Sequence, residues 1–262
     1  MKLGRSCRVK SAHINANLKV LLLDTDYYSL QAVNSYLAWD RRTRVTYMAE
    51  SVEDMWAYLQ KTPLAELPDV VVLDADHMGG AVLLQQHLER LRQYMPRLMV
   101  ICLAQMSDPQ LVEAAAAAGA RGYLLKNEVR LHIAWAIVYA LDYPFIATRS
   151  ITRIGERAFQ RLHIQTVTLP PRRQYPELTE RIRQAIELCV VKGMPAQLAA
   201  DEMGISLHTI RSYIKEGYRI LEAYDETEYP DNMSPQERAF MRLTSFEEKD
   251  ELPPPDRPET SG

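Results

Sequence analysis

The sequence predicts an α/β fold, a doubly wound five-stranded parallel sheet, followed by a smaller all-α domain. Residues 18 to 142 alternate five short β-rich runs with five helical stretches, and the strand interiors are apolar, as in sheets covered on both faces. From residue 178 the strand pattern gives way to short amphipathic helices separated by glycines. A length of 262 residues leaves room for two domains, each with a core of its own.

The first strand is "LKVLLLD" (18–24), followed by the amphipathic "YSLQAVNSYLAW". "RVTYMAE" is the second strand, and Ser51 opens the second helix, "SVEDMWAYLQ". "DVVVLDAD" and "RLMVICLA" are strands three and four, with the helix "AVLLQQHLERLRQY" between them. Pro109 near the first turn and Gly119 past the end bracket the fourth helix, "DPQLVEAAAAAG". "RGYLLK" is the fifth strand and "NEVRLHIAWAIVYALD" the fifth helix.

Five segments result: a basic lead-in (1–17), an α/β domain (18–146), a basic linker (147–177), an all-α domain (178–226), and a short helix with an acidic, largely disordered tail (227–262). In the last, Ser234 and Glu237 form a capping box with Pro235 at the first helical position. Pro170 and Pro171 interrupt any helix across the linker, whose arginines Arg149, Arg153, Arg157, Arg161, Arg172 and Arg173 face one acid, Glu156. The net charge of −3 thus averages a basic middle with an acidic end.

At 47% hydrophobic and 25% charged residues, with no apolar run of about 18 residues, the chain reads as soluble and cytoplasmic, without a membrane partner. Cys7, Cys102 and Cys189 show neither metal nor disulfide spacing, and Cys102 and Cys189 read as small core residues.

Parallel sheets bind ligands at the carboxyl ends of their strands, and three ionisable residues sit there: Asp24, Asp74 and Lys126. Two carboxylates at one sheet edge need a cation or an ammonium group between them. This run of residues, over roughly 18 to 143, resembles the receiver domain of two-component response regulators. The resemblance implies Asp24 as an acidic-pocket residue, Asp74 in "VVVLDAD" as the phosphoacceptor, and Lys126 as the contact to a phosphoryl group. It also implies Mg²⁺ on Asp24 and Asp74, since a hard cation takes oxygen ligands.

Two positions depart from that family. Thr25 stands where a second acid follows the first, with Asp26 one place further on as a substitute acid for the pocket. Ala104 stands where the family carries a Ser or Thr hydroxyl, which removes the partner of the switch aromatic, Tyr123. The "DTD" of residues 24–26 also matches the D-x-D of haloacid-dehalogenase-like phosphatases, but Tyr27-Tyr28 replaces their usual Gly-Thr and no later paired-Asp motif follows.

In "LTERIRQAIELCVVKGMPAQLAADEMGISLHTIRSYIKEGYRIL" (178–221), one helix ends near Gly193, a second stops at Gly204, and a third starts after Ser206, whose hydroxyl can cap His208 or Thr209 N–H. Two short helices joined by a tight turn form a helix-turn-helix. Leu198, Ala199, Met203, Ile205, Ile210 and Ile214 pack inward, which leaves His208, Arg211, Ser212, Lys215 and Arg219 on the outer face. The segment resembles the LuxR/NarL-type DNA-binding domain through Leu198-Ala199, Met203-Gly204-Ile205-Ser206, Thr209-Ile210-Arg211 and Tyr213. The resemblance implies phosphate contacts from Lys192 and Thr209, and base contacts from Arg211, Ser212 and Lys215 in the major groove. Gly217 departs from the family's apolar residue and leaves packing space, which predicts either a short helix or a gap filled by another element such as Tyr218 or the C-terminal segment.

Together the two resemblances imply a regulator that is not an enzyme, binding double-stranded DNA as a homodimer. Thr25 and Ala104 predict atypical or phosphorylation-independent control of a degenerate receiver. The alternatives are a conventional regulator phosphorylated on Asp74 by a histidine kinase, and an adaptor that holds a regulatory protein without specific DNA binding.

Overall fold

The computed structural model describes residues 13, 15–224 and 229–247; the rest of the basic lead-in with Cys7, and the acidic tail from residue 248, lie outside the described residues. The N-terminal half alternates β1 (Leu18–Leu23), α1 (Tyr27–Ala38), β2 (Thr43–Ala49), α2 (Val52–Lys61), β3 (Val70–Asp74), α3 (Ala81–Tyr94), β4 (Met99–Ala104), α4 (Pro109–Ala117) and β5 (Gly122–Leu125). The expected fifth helix is broken into α5 (Lys126–Val129), a 3₁₀ turn (Arg130–His132) and α6 (Ile133–Tyr139).

The expected sheet of five strands has seven. β6 (Phe145–Ala147) and β7 (Thr166–Thr168) extend it, joined by α7 (Arg149–Arg161), so the order is β2-β1-β3-β4-β5-β6-β7. Residues 147–177 are therefore no plain linker: α7 turns Ile151, Gly155, Ala158 and Phe159 onto the sheet at helical spacing and keeps its arginines outside. Every pairing is parallel, and each neighbour is reached by a helical crossover.

The period of the strands divides the core into two layers. Val70 and Val72 of β3 join Val20, Leu22, Ile101 and Leu124 under α1 and α6. Val71 and Leu73 join Leu21, Leu23, Val100 and Cys102 under α2, α3, α4 and α7. Burying one such aliphatic side chain contributes about 1.5–3 kcal/mol, and β3 is buried along its whole length. The chain leaves β1 toward β2 on one side and reaches β3 on the other, so the crevice between the ends of β1 and β3 is the point where strand order reverses.

The C-terminal half holds α8 (Glu180–Ile186), which runs on into a π turn (Glu187–Val191), then α9 (Ala196–Met203), α10 (Leu207–Ala223) and α11 (Pro235–Leu243). Ser206 caps α10 by accepting from Thr209 N–H, and Ser234 with Glu237 forms the expected capping box on α11. α11 also ties the halves together. Trp39, after α1, stacks on Phe240 at 5.8 Å, and Trp135 of α6 donates its Nε1–H to Met241 O at 3.0 Å and Thr244 Oγ1 at 3.1 Å. Among the described residues no helix is long and apolar enough to cross a membrane.

Candidate functional site

Two sites emerge, one at each end of the sequence argument. At the crevice, β1 and β3 carry Asp24 and Asp74 to adjacent strand ends, both at or under 5% exposed. Lys126, one residue past β5, lays its Nζ 2.8 Å from Asp24 Oδ2 and 3.5 Å from Asp74 Oδ2. Asp24 also accepts from Ser29 Oγ at 2.6 Å and from Asp26 N–H at 2.9 Å. Asp74 Oδ2 lies 2.5 Å from His77 Nδ1, a contact the sequence reading missed because His77 sits in a loop with no periodic or motif signal.

The environments push the two carboxylates apart. Burial works against the charge on Asp24, yet the hydrogen bonds from Lys126 and Ser29 outweigh it and hold its pKa below the ordinary carboxylate value. At Asp74 burial prevails over the hydrogen bond from His77 and the charge of Lys126, and the pKa rises. His77 is raised in turn by its bond to Asp74.

Asp26 is not part of this pocket. Its exposed carboxylate accepts from Tyr28 and Ser29 N–H and caps α1, because the side chain of a residue two past Asp24 is carried away by the helix start. Thr25 is exposed as well. Two carboxylates thus remain with an ammonium group between them, and the third neighbour is an imidazole. That set fits an all-oxygen, octahedral Mg²⁺ site poorly.

Ala104 and Tyr123, expected from the resemblance as switch positions, lie in the neighbouring strands β4 and β5. Ala104 and Tyr123 are fully buried, and the Tyr123 hydroxyl has no hydrogen-bond partner among the described residues. A methyl group at Ala104 offers it none, and burial raises the phenol pKa far above its ordinary value. Asp76, two residues past Asp74, instead reaches the β4–α4 loop, accepting from Gln105 N–H at 2.5 Å.

The second site is the outer face of α10. Gly204 ends α9 in the left-handed region at φ 64°, and Ile205 N–H closes back on Ala200 O, the tight turn that sets α10 across α9. Ile210 and Leu221 of α10 are buried, while His208, Arg211, Ser212, Lys215 and Arg219 are exposed on one face. Lys192, just after the π turn, is exposed too. Thr209 shares its hydroxyl with Ser206 at 2.8 Å, and Ser212 Oγ donates to His208 O. Arg219 is held by Glu216 through contacts of 2.9 and 2.6 Å, so it presents less free charge than Arg211 or Lys215.

The expected gap at Gly217 does not exist. A Cβ there would lie 2.5 Å from Ile186 Cγ1 and 2.6 Å from Ile186 Cδ1, because α8 crosses α10 at that point. Only glycine admits so close an approach.

A family model described as sigma-70, region 4, matches residues 169–221, which contain this helix-turn-helix. The response regulator protein VraR of Staphylococcus saprophyticus subsp. saprophyticus is 25% identical over 215 residues, covering 80% of this chain and 93% of VraR. The chain is similar to response regulators along both halves. Its receiver-like domain leads, and a helix-turn-helix domain follows. Among solved structures, the RcsB response regulator of Salmonella typhimurium is 18% identical, with a TM-score of 0.46 over 81% of this chain and 95% of RcsB. An RcsB–DNA complex is 15% identical, with a TM-score of 0.46 over 87% of this chain and 100% of that one.

Proposed function

We propose that the protein is a transcriptional regulator that binds double-stranded DNA as a homodimer through α10, and that its receiver-like domain controls it without the usual phosphorylation of Asp74. The observation that carries the DNA reading is the exposed stripe of His208, Arg211, Ser212 and Lys215 on a capped, glycine-positioned helix. Arg211 is suited to bidentate contact with guanine O6 and N7 in the major groove, and Lys192, Thr209 and Lys215 to phosphate and base-edge contacts. This face is open to solvent.

Four observations support atypical control. Thr25 brings no carboxylate, Asp26 is taken up in capping α1, Ala104 offers no hydroxyl to follow a phosphoryl group, and Asp74 is already engaged by His77. The conventional reading, a histidine kinase acting on Asp74, draws its support from the retained triad of Asp24, Asp74 and Lys126.

A direct experiment separates them. The protein and Asp74→Asn are incubated with Mg²⁺ and a small phosphodonor, then followed by intact mass and by DNA affinity. Affinity within about twofold of the untreated protein in both samples is the expected result. A gain in affinity that accompanies an added phosphoryl mass and disappears in Asp74→Asn establishes the conventional mechanism instead.

A further inference from the structure

We propose that Asp24, Asp74 and His77 form a site for a first-row transition-metal dication, with Zn²⁺ as the probe, in place of the Mg²⁺ site that the receiver-like fold implies. The inference concerns the pocket alone and stands whether or not α10 binds DNA. One carboxylate oxygen of Asp24, one of Asp74 and Nδ1 of His77 all lie within 4.8 Å of one another. Tetrahedral ligands at about 2.0–2.2 Å from a zinc ion lie about 3.3–3.6 Å apart, so side-chain rotations must draw the cluster in by up to about 1.5 Å. His77 has the freedom to make them, since its side chain is 59% exposed, while the two carboxylates are fixed at the ends of buried strands.

Each carboxylate keeps lone pairs to give. Asp24 uses three contacts, from Asp26 N–H, Ser29 and Lys126, and Asp74 uses His77, Lys126 and a longer bond from Asp76 N–H at 3.3 Å. A metal takes the place of the shared contact between His77 and Asp74, and Lys126 Nζ, 2.8 Å from Asp24 Oδ2 and 3.5 Å from Asp74 Oδ2, draws back from the oxygens that the metal uses. The exposed edge at His77 leaves room for water as the remaining ligand.

The donor set decides the class of metal. Mg²⁺ takes oxygen and rarely accepts an imidazole, whereas Mn²⁺, Fe²⁺ and Zn²⁺ accept imidazole together with carboxylate. With no carboxylate at Thr25 and Asp26 taken up in capping α1, oxygen charge is lost where Mg²⁺ needs it, and His77 supplies nitrogen where Zn²⁺ uses it. Occupancy ties the loop after β3 to the end of β1. Because Asp76 in that loop holds Gln105 N–H, the tie extends to the segment leading into α4.

The test uses the full chain, freed of metal by chelation, and titrated calorimetrically with ZnCl₂ and with MgCl₂. Asp74→Asn, His77→Ala and the exposed control His163→Ala are titrated alongside, and CoCl₂ absorption reports nitrogen ligation. Near-stoichiometric Zn²⁺ binding that weakens at least tenfold in His77→Ala and in Asp74→Asn, with Mg²⁺ binding unaltered by His77→Ala, is the expected result. Circular dichroism and the urea midpoint of His77→Ala, both expected to match the parent, separate loss of the site from loss of fold. Zn²⁺ binding that survives His77→Ala, that vanishes in His163→Ala, or that is no tighter than Mg²⁺ overturns the proposal, as does no Zn²⁺ binding at all.

Discussion

Substituting Gly217 by alanine tests how α10 is held. Alanine is the better helix former by about 1 kcal/mol, so on propensity alone Gly217→Ala stabilises the protein. The structure reverses the sign. The added Cβ meets Ile186 at 2.5 and 2.6 Å and Ile182 Cγ2 at 3.2 Å, all on α8, and overpacking of this kind costs about 1–3 kcal/mol. The expected net change is a loss of about 1 kcal/mol, read as a lower urea midpoint with an unchanged slope. In an Ile186→Ala background the obstructing atoms are gone and a cavity takes their place. There the same Gly217→Ala change stabilises by up to about 1 kcal/mol, so the double-mutant cycle shows favourable coupling. A stabilising Gly217→Ala in the parent refutes the close crossing of α8 and α10, and with it the placement of the face proposed to contact DNA.

Other perturbations probe the junction between the halves. His132 is buried, shares Nδ1 with Thr244 O at 2.7 Å, and faces Arg130 and Arg172; desolvation first, then those two charges, lower its pKa. The unfolded chain therefore binds the proton more readily, so the contribution of this site is full above the ordinary histidine value of about 6.5 and falls as pH drops below it. His132→Gln is expected to flatten the loss of thermal stability between about pH 6.5 and 5; an unchanged profile assigns the acid sensitivity elsewhere. Trp135→Phe keeps a ring beneath Arg42, whose guanidinium lies 3.9 Å from the Trp135 centroid, but removes the Nε1–H donor. A cost of about 1 kcal/mol and faster amide exchange over residues 241–245 are expected, and exchange equal to the parent's shows that the Trp135 donor does not hold α11 in place. Lys192→Ala is expected to reduce the slope of log affinity against log salt by about 1, whereas a parent-like slope places Lys192 away from phosphate.

Much of the fold was legible because the chemistry repeats. The continuous apolar runs of β1, β3 and β4 mark strands buried on both faces, and the caps at Ser51, Ser206 and Ser234 fall where hydroxyl residues precede helical patterns. α7 was hidden by its arginines, although Ile151, Gly155, Ala158 and Phe159 already carry a helical stripe. β6 and β7 are three residues each, too short for a period of two to register. At the pocket, the strand-end residues Asp24, Asp74 and Lys126 could be placed from sequence because strand ends converge in parallel sheets. Asp26 could have been read as a helix cap from its position before Tyr27. His77 and the crossing at Gly217 depend on loop path and on contacts between distant segments, for which local sequence holds no signal.

The account rests above all on α10 reading DNA. The most direct measurement selects sequences from a random double-stranded pool with the full-length, unphosphorylated protein, then compares the affinity of the enriched site with a scrambled one for the parent and for Arg211→Ala. An enriched half-site, bound well above the scrambled DNA at near-physiological salt and losing about 1–3 kcal/mol of that discrimination in Arg211→Ala, is the predicted result. No enrichment from the pool, or full discrimination retained by Arg211→Ala, contradicts it.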